Sequence, residues 1–225
     1  MDDLGSIIEG KLRENRSMRE AAFSLIASGE AVAFIGAGLS ANPLLNFPTW
    51  PQLLEKLRIV ARTAGNFDFS PKANGNYLLM AEELEKHFSS HGKSDEFKRI
   101  LCTEYGPRSG LSCSPTHGLL VKLPFKAFVT TNYDDCLACA LNNQHVSRGE
   151  GSRSGIASII KPNGQSRHMV SRFLRSLANI FDGSNRYVAH LHGWHDDSES
   201  IILTASQYYR AYGFEFKDGQ ITRQE

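Results

Sequence analysis

Residues 31–35, Ala31-Val32-Ala33-Phe34-Ile35, form a short apolar run that stops sharply at Gly36-Ala37-Gly38. A strand buried on both faces of a parallel sheet reads in this way, as a continuous stretch of small and β-branched side chains. Glycines at its carboxyl end permit positive φ and let backbone N–H groups approach a pyrophosphate with no Cβ between them. Gly36, Ala37, Gly38 and Ser40 are therefore candidate contacts for the phosphates and ribose of a nucleotide. The full Gly-x-Gly-x-x-Gly pattern is not met, because Ala41 stands where the third glycine would fall. The turn by itself is equally compatible with an ordinary strand-to-loop connection.

Two further apolar runs end in polar clusters. Ala127-Phe128-Val129-Thr130 stops at Thr131-Asn132-Tyr133-Asp134-Asp135, and Tyr187-Val188-Ala189-His190-Leu191 stops at His192-Gly193. In an open parallel sheet, ligands bind outside the carboxyl ends of the strands. Three such strands place a glycine turn, an amide with two carboxylates, and a histidine on one rim. The expected fold is α/β, a Rossmann-like parallel sheet.

A chain of 225 residues with 41% hydrophobic content suits one α/β domain with a sizeable core. The net charge of +1 provides no global attraction to nucleic acid or to a membrane surface. No apolar stretch reaches the length of a membrane span, and Met1-Asp2-Asp3-Leu4 lacks the basic-then-apolar order of a signal peptide. A cytoplasmic location, with no membrane and no direct nucleic-acid binding, is the expectation. Cys136 and Cys139 form a Cys-x-x-Cys pair, but they fall in the helix expected after Asp135 and read as packing residues. No second pair has suitable spacing, so no metal site is expected.

Helical periodicity and stop signals predict helices over 18–29, 50–62, 77–88, 95–105, 115–123, 173–181 and 205–212. Pro51 falls near the start of the second, where its missing N–H costs little. Residues 65–76 and 147–155 read as loops. Arg167, His168, Arg172 and Arg175 make one segment basic, which a solvated helix face explains. A single domain over 1–225 is expected, with helical insertions within 65–125 and 146–185.

Gly36-Ala37-Gly38-Leu39-Ser40, then Thr130-Thr131-Asn132-Tyr133-Asp134, then Leu191-His192-Gly193 resemble the three signature segments of the sirtuin fold, in order. Phe47-Pro48-Thr49-Trp50 with Gln52-Leu53-Leu54, and Ser114-Pro115-Thr116-His117 through Leu123-Pro124-Phe125, narrow the resemblance. They look like the prokaryotic sirtuin-like branch found in anti-phage defence proteins, over about residues 31–209. That resemblance implies NAD+ as substrate, cleaved to nicotinamide and ADP-ribose. Protein-deacylating sirtuins typically carry a four-cysteine zinc module near the histidine motif, whereas here no cysteine follows Cys139. The expectation is an NAD+ hydrolase without zinc. An NAD-dependent deacylase, or a non-catalytic module sensing NAD+ or ADP-ribose, is the alternative.

By the same resemblance Asn132 is a catalytic residue, Asp134 contacts the nicotinamide end, and Thr131 joins the cofactor-binding set. Chemically, the Asn132 amide can orient a ribose hydroxyl or a water, and Asp134 can instead cap the following helix. His192, with an ordinary pKa near 6.5, is the natural general base. His190, His192 and His195 with Asp196 and Asp197 also resemble a set of metal ligands, but without a distinct ligand framework. Trp50 is expected to pack at a helix start rather than stack on nicotinamide. Similar domains continue with at least one more parallel strand, while residues 213–225 read as polar and strand-poor. The sheet is accordingly expected to be C-terminally incomplete, its edge covered by more chain, a second copy in a homo-oligomer, or an associated sensor or partner protein.

Overall fold

The computed structural model describes residues 4–107, 112–147, 158–160, 187–212, 214–217 and 220–223. Its centre is a parallel sheet of four strands, β1 (Val32–Ile35), β2 (Ala127–Thr130), β3 (Ser158–Ile160) and β4 (Tyr187–His190), in the order β1-β2-β4-β3. Parallel register pairs Ile35 with Thr130 and Thr130 with His190, so the three polar clusters leave the sheet at one level. The α/β Rossmann-like expectation holds. β3 lies within 146–185, where a helical insertion is also expected; the helix over 173–181 and the basic cluster lie outside the described residues.

Among the described residues the α-helices are α1 (Leu4–Ala27), α2 (Trp50–Ala64), α3 (Tyr77–Ser90), α4 (Ser94–Tyr105), α5 (Pro115–Lys122), α6 (Cys136–Ser147) and α7 (Ala205–Tyr212). α1 begins well before the expected residue 18 and stops where expected, with Gly29 at φ 73°. α2 starts at a capping box in which the Thr49 N–H donates to Gln52 Oε1 at 2.8 Å, with Pro51 in the first turn. Its buried stripe is Leu53, Leu54, Leu57 and Ala61, the spacing of one helix face.

Two apolar clusters result. Ala33, Ile35, Phe128 and Val188 from the sheet pack with Val121 of α5 and with Leu137, Ala138 and Leu141 of α6. The α2 stripe packs with Ala81, Leu84 and Phe88 of α3 and with Phe97 and Leu101 of α4. Tyr133 at the sheet rim belongs to this second cluster, together with Ile201 and Leu203. The rim of the sheet thus abuts a helical layer drawn from residues 50–105.

Residues 213–225 are not strand-poor. β5 (Phe214–Lys217) and β6 (Gln220–Arg223) form an antiparallel pair, separate from the parallel sheet. Among the described residues, no helix is long and apolar enough to cross a membrane.

Candidate active site

The turn after β1 is a single coil of helix-like backbone. Leu39 N–H bonds to Gly36 C=O, and the Ser40 and Ala41 N–H groups bond to Ala37 C=O at 3.1 and 2.9 Å. As at the start of any helical turn, the first N–H groups, those of Ala37 and Gly38, are not needed by the turn itself. Neither Gly36 nor Gly38 adopts positive φ, which corrects that part of the sequence argument. A Cβ added at either position would meet nothing within 4 Å. Gly38, Ala37 and Ser40 line a cavity of about 320 Å³, and Gly36 is not among its lining residues.

At the end of β2, the Asn132 N–H donates to Thr130 Oγ1 at 3.0 Å, and its C=O accepts from His190 Nδ1 at 2.9 Å. Both bonds fix the backbone that presents the amide. Asn132 Nδ2 donates to Ser40 Oγ at 3.0 Å, which leaves Oδ1 buried without a protein partner. A buried acceptor left unmade costs about 1–3 kcal/mol, and Asn132 is among the residues that line the cavity. Thr131 and Asp134 also line the cavity. Asp134 Oδ1 accepts the Cys136 N–H at 3.1 Å, so the carboxylate supports the start of α6 while facing the cavity. Asp134 thus caps α6 and also lines the cavity.

β4 ends at His190, and the chain turns before His192, so these two histidines do not share a strand face. His190 is buried against the Asn132 backbone, His192 faces the cavity, and the His195 N–H bonds to Tyr133 C=O at 2.9 Å. The three histidines do not assemble into a ligand set. Among the described residues, three potential metal ligands converge at His117, Asp134 and Cys136, all buried. Both His117 ring nitrogens face serines, and Asp134 Oδ1 accepts the Cys136 backbone N–H.

Gly193 makes the turn beyond His192. Its φ is 90°, and a Cβ there would lie 2.1 Å from Ser200 O. His192 itself is half-buried between two rings that the sequence reading did not single out. Tyr208 Oη lies 3.1 Å from each imidazole nitrogen, with ring centroids 4.9 Å apart, and the Tyr212 ring lies 6.1 Å away. Burial pushes the imidazole down to about 4, so it is neutral near pH 7. α7 holds both tyrosines in place, because Ser206 N–H donates to Glu82 Oε2 of α3 at 3.0 Å and Gln207 Nε2 to Glu85 Oε1 at 2.9 Å. Tyr212 O–H closes the clip on Leu191 C=O at 2.6 Å.

Phe47, Pro48, Trp50, Tyr105 and Tyr133 complete the cavity wall. Trp50 stacks on Tyr77, centroids 6.1 Å apart, and so packs at the helix start as expected while also lining the cavity. Tyr105 and Tyr208 were missed because nothing local in the sequence marks them. They arrive from helices far along the chain. The cavity joins an apolar wall to a few convergent polar groups, which is how small-molecule sites are built.

A Rossmann-like parallel sheet with a cavity lined from the carboxyl ends of its strands places the chain in the α/β class, whose members bind ligands at that rim. Residues 126–224 match the family model described as a SIR2-like domain. The chain is similar to the NAD(+) hydrolase ThsA of Enterococcus faecium, 23% identical over 183 residues, covering 81% of this chain and 32% of that protein. It is also similar to the NAD(+) hydrolase ThsA of Acinetobacter baumannii, 29% identical over 136 residues, covering 55% of this chain and 25% of that protein. The chain spans a third or less of these curated relatives.

Proposed function

We propose that this chain is an NAD+ glycohydrolase that releases nicotinamide and ADP-ribose, and that it acts as an anti-phage effector by depleting NAD+. The observation that carries the reading is the convergence, in one cavity, of the unpartnered Asn132 carbonyl and the neutral His192 imidazole. The resemblance of the motifs and the printed names of the relatives support it.

The chemistry suits these groups. Nicotinamide leaves NAD+ as a neutral base, taking the C1′–N bonding pair, so no acid is required. The barrier lies in the oxocarbenium-like sugar, which a fixed dipole in a dry site stabilises. Asn132 Oδ1 accepts from a ribose hydroxyl or from the attacking water, while Ser40 and the backbone of Ala37 and Gly38 take the ribose and the phosphates. Water adds to C1′ and its proton passes to His192. An imidazole with a pKa of about 4 is a weak base. It suffices because water becomes strongly acidic as it bonds to a cationic carbon. Thr131 and Asp134 border the nicotinamide end.

Further proposals attach to this reading: a cytoplasmic setting, no zinc requirement, and a homo-oligomer or a partner protein covering the β1 edge, where Phe34 is 68% exposed. The test is nicotinamide release from NAD+ by purified protein with no acyl peptide present, alongside elemental analysis for zinc. Turnover strictly dependent on an acetyl-lysine peptide would replace the reading with deacylation. Binding of NAD+ without turnover, even after extension or assembly, would replace it with sensing.

A further inference from the structure

α5 begins with a capping box in which the usual Glu or Gln is replaced by histidine. Ser114 Oγ accepts the His117 backbone N–H at 3.4 Å, and His117 Nδ1 reaches back to the Ser114 backbone N–H at 3.3 Å and to Ser114 Oγ at 2.7 Å. A backbone N–H can only donate, so Nδ1 must be the lone-pair nitrogen. Burial also holds the fully buried ring below its usual pKa, although the Asp134 carboxylate pulls the other way. A neutral imidazole whose Nδ1 accepts carries its proton on Nε2. That nitrogen points away from α5 to Ser40 Oγ, 3.4 Å away in the turn after β1.

Ser40 Oγ therefore receives two N–H donors, from His117 Nε2 and from Asn132 Nδ2. Both of its lone pairs are engaged, and its only remaining capacity is to donate its own proton. It cannot donate to Asn132 while accepting from it. The Asn132 amide, part of the cavity lining, is thereby held with Nδ2 toward Ser40 and Oδ1 without a protein partner. We infer that His117, which does not touch the cavity, is a positioning residue that sets the orientation of the Asn132 carboxamide through Ser40, so that the site presents a carbonyl acceptor and a serine O–H donor to a ribose. The inference rests on the proposed hydrolysis only for its consequence in turnover; the hydrogen-bond direction is independent of it.

Two substitutions separate the relay from the cap. Gln, an ordinary occupant of this capping position, retains an acceptor for Ser114 and an N–H₂ group of similar reach. Asn retains the acceptor but is too short to donate to Ser40. His117→Asn is expected to lower kcat for nicotinamide release about tenfold or more, with KM changed less than about threefold. His117→Gln is expected to recover most of that loss. Equal kcat in the wild type and both variants would overturn the inference while leaving the hydrolase reading intact. A second measurement does not require turnover or a substitution. Nitrogen-15 NMR of the His117 imidazole in the full chain should show a protonated Nε2 and a bare Nδ1. A proton on Nδ1 would overturn the relay whether or not the protein cleaves NAD+, and whether or not His117→Asn folds. Absence of nicotinamide release by the wild type would sink the hydrolase reading alone.

Discussion

Asn132 and His192 face one cavity from neighbouring strands, yet different forces hold them. Asn132 sits in a polar net, with its backbone tied to Thr130 and His190 and its side chain to Ser40. His192 sits among rings, with Tyr208 and Tyr212 excluding water from it. The polar net fixes direction, since each hydrogen bond has one donor and one acceptor. The aromatic wall fixes protonation, since desolvation penalises the charged imidazole. One side of the site should therefore break when a single hydrogen bond is lost, and the other when water is admitted.

The largest effect tests the premise that both groups act in turnover. Asn132→Ala and His192→Ala should each lower nicotinamide release by about two orders of magnitude or more, the scale of a lost electrostatic or acid–base contribution. Thermal melts should stay within a few degrees of the wild type, because both side chains lie at the rim rather than in either apolar cluster. A variant that keeps near wild-type turnover removes its residue from the mechanism.

Next in size is Gly193→Ala, aimed at the scaffold of the aromatic side alone. The φ of 90° and the 2.1 Å approach of Ser200 O leave no room for a Cβ. The expected cost is about 3 kcal/mol, seen as a lowered denaturant midpoint with an unchanged slope. Ala at Gly38, where nothing lies within 4 Å, should cost far less stability and should instead weaken NAD+ binding. Equal destabilisation at both glycines would show that the conformational argument is mistaken.

That contrast also marks what the sequence made legible. β1, β2 and β4 were readable because buried parallel strands are short apolar runs, and each ends in a polar cluster. The helices at 50–64, 77–90 and 115–122 were readable from periodicity and stop signals to within a residue or two at their ends; the structure adds that Thr49, Asn76 and Ser114 cap them. β3, three residues long, offers too little pattern to detect. The β5–β6 pair was detectable and was overlooked. Phe214 and Phe216 alternate with Glu215 and Lys217, and Asp218-Gly219 leads to Ile221, a strong hairpin signal. At the site, the Asn132 and His192 positions were legible from their motifs. The tyrosines that desolvate His192 were not, because α7 reaches it only through tertiary contacts with Glu82 and Glu85.

Protonation sets the next test. Because burial lowers His192 to about 4, kcat should stay flat from about pH 8 down to about pH 5 and fall only below that, not near 6.5. Stability should follow the same group. Between 6.5 and about 4 the unfolded chain binds a proton at His192 that the folded chain does not. The neutral ring's contribution is therefore present above 6.5 and is lost as the pH falls through that window. His192→Gln should flatten this part of the melting-temperature profile relative to the wild type. An activity limb near 6.5 in the wild type would show the ring to be solvated.

The smallest effect separates the two things Tyr208 does. Its hydroxyl lies 3.1 Å from both ring nitrogens, and its ring covers the imidazole. Tyr208→Phe removes the first and keeps the second. If the pKa is lowered by desolvation, the acid limb of the pH profile should then stay in place, and kcat should fall only about threefold as the ring loses its tether. Tyr208→Ala admits water, and the limb should move up by about one pH unit or more toward 6.5. Measuring both profiles under identical salt decides between the causes. A limb that moves equally in Phe and Ala variants would assign the control to the hydroxyl, and His192 would then be governed by a hydrogen bond, as Asn132 is.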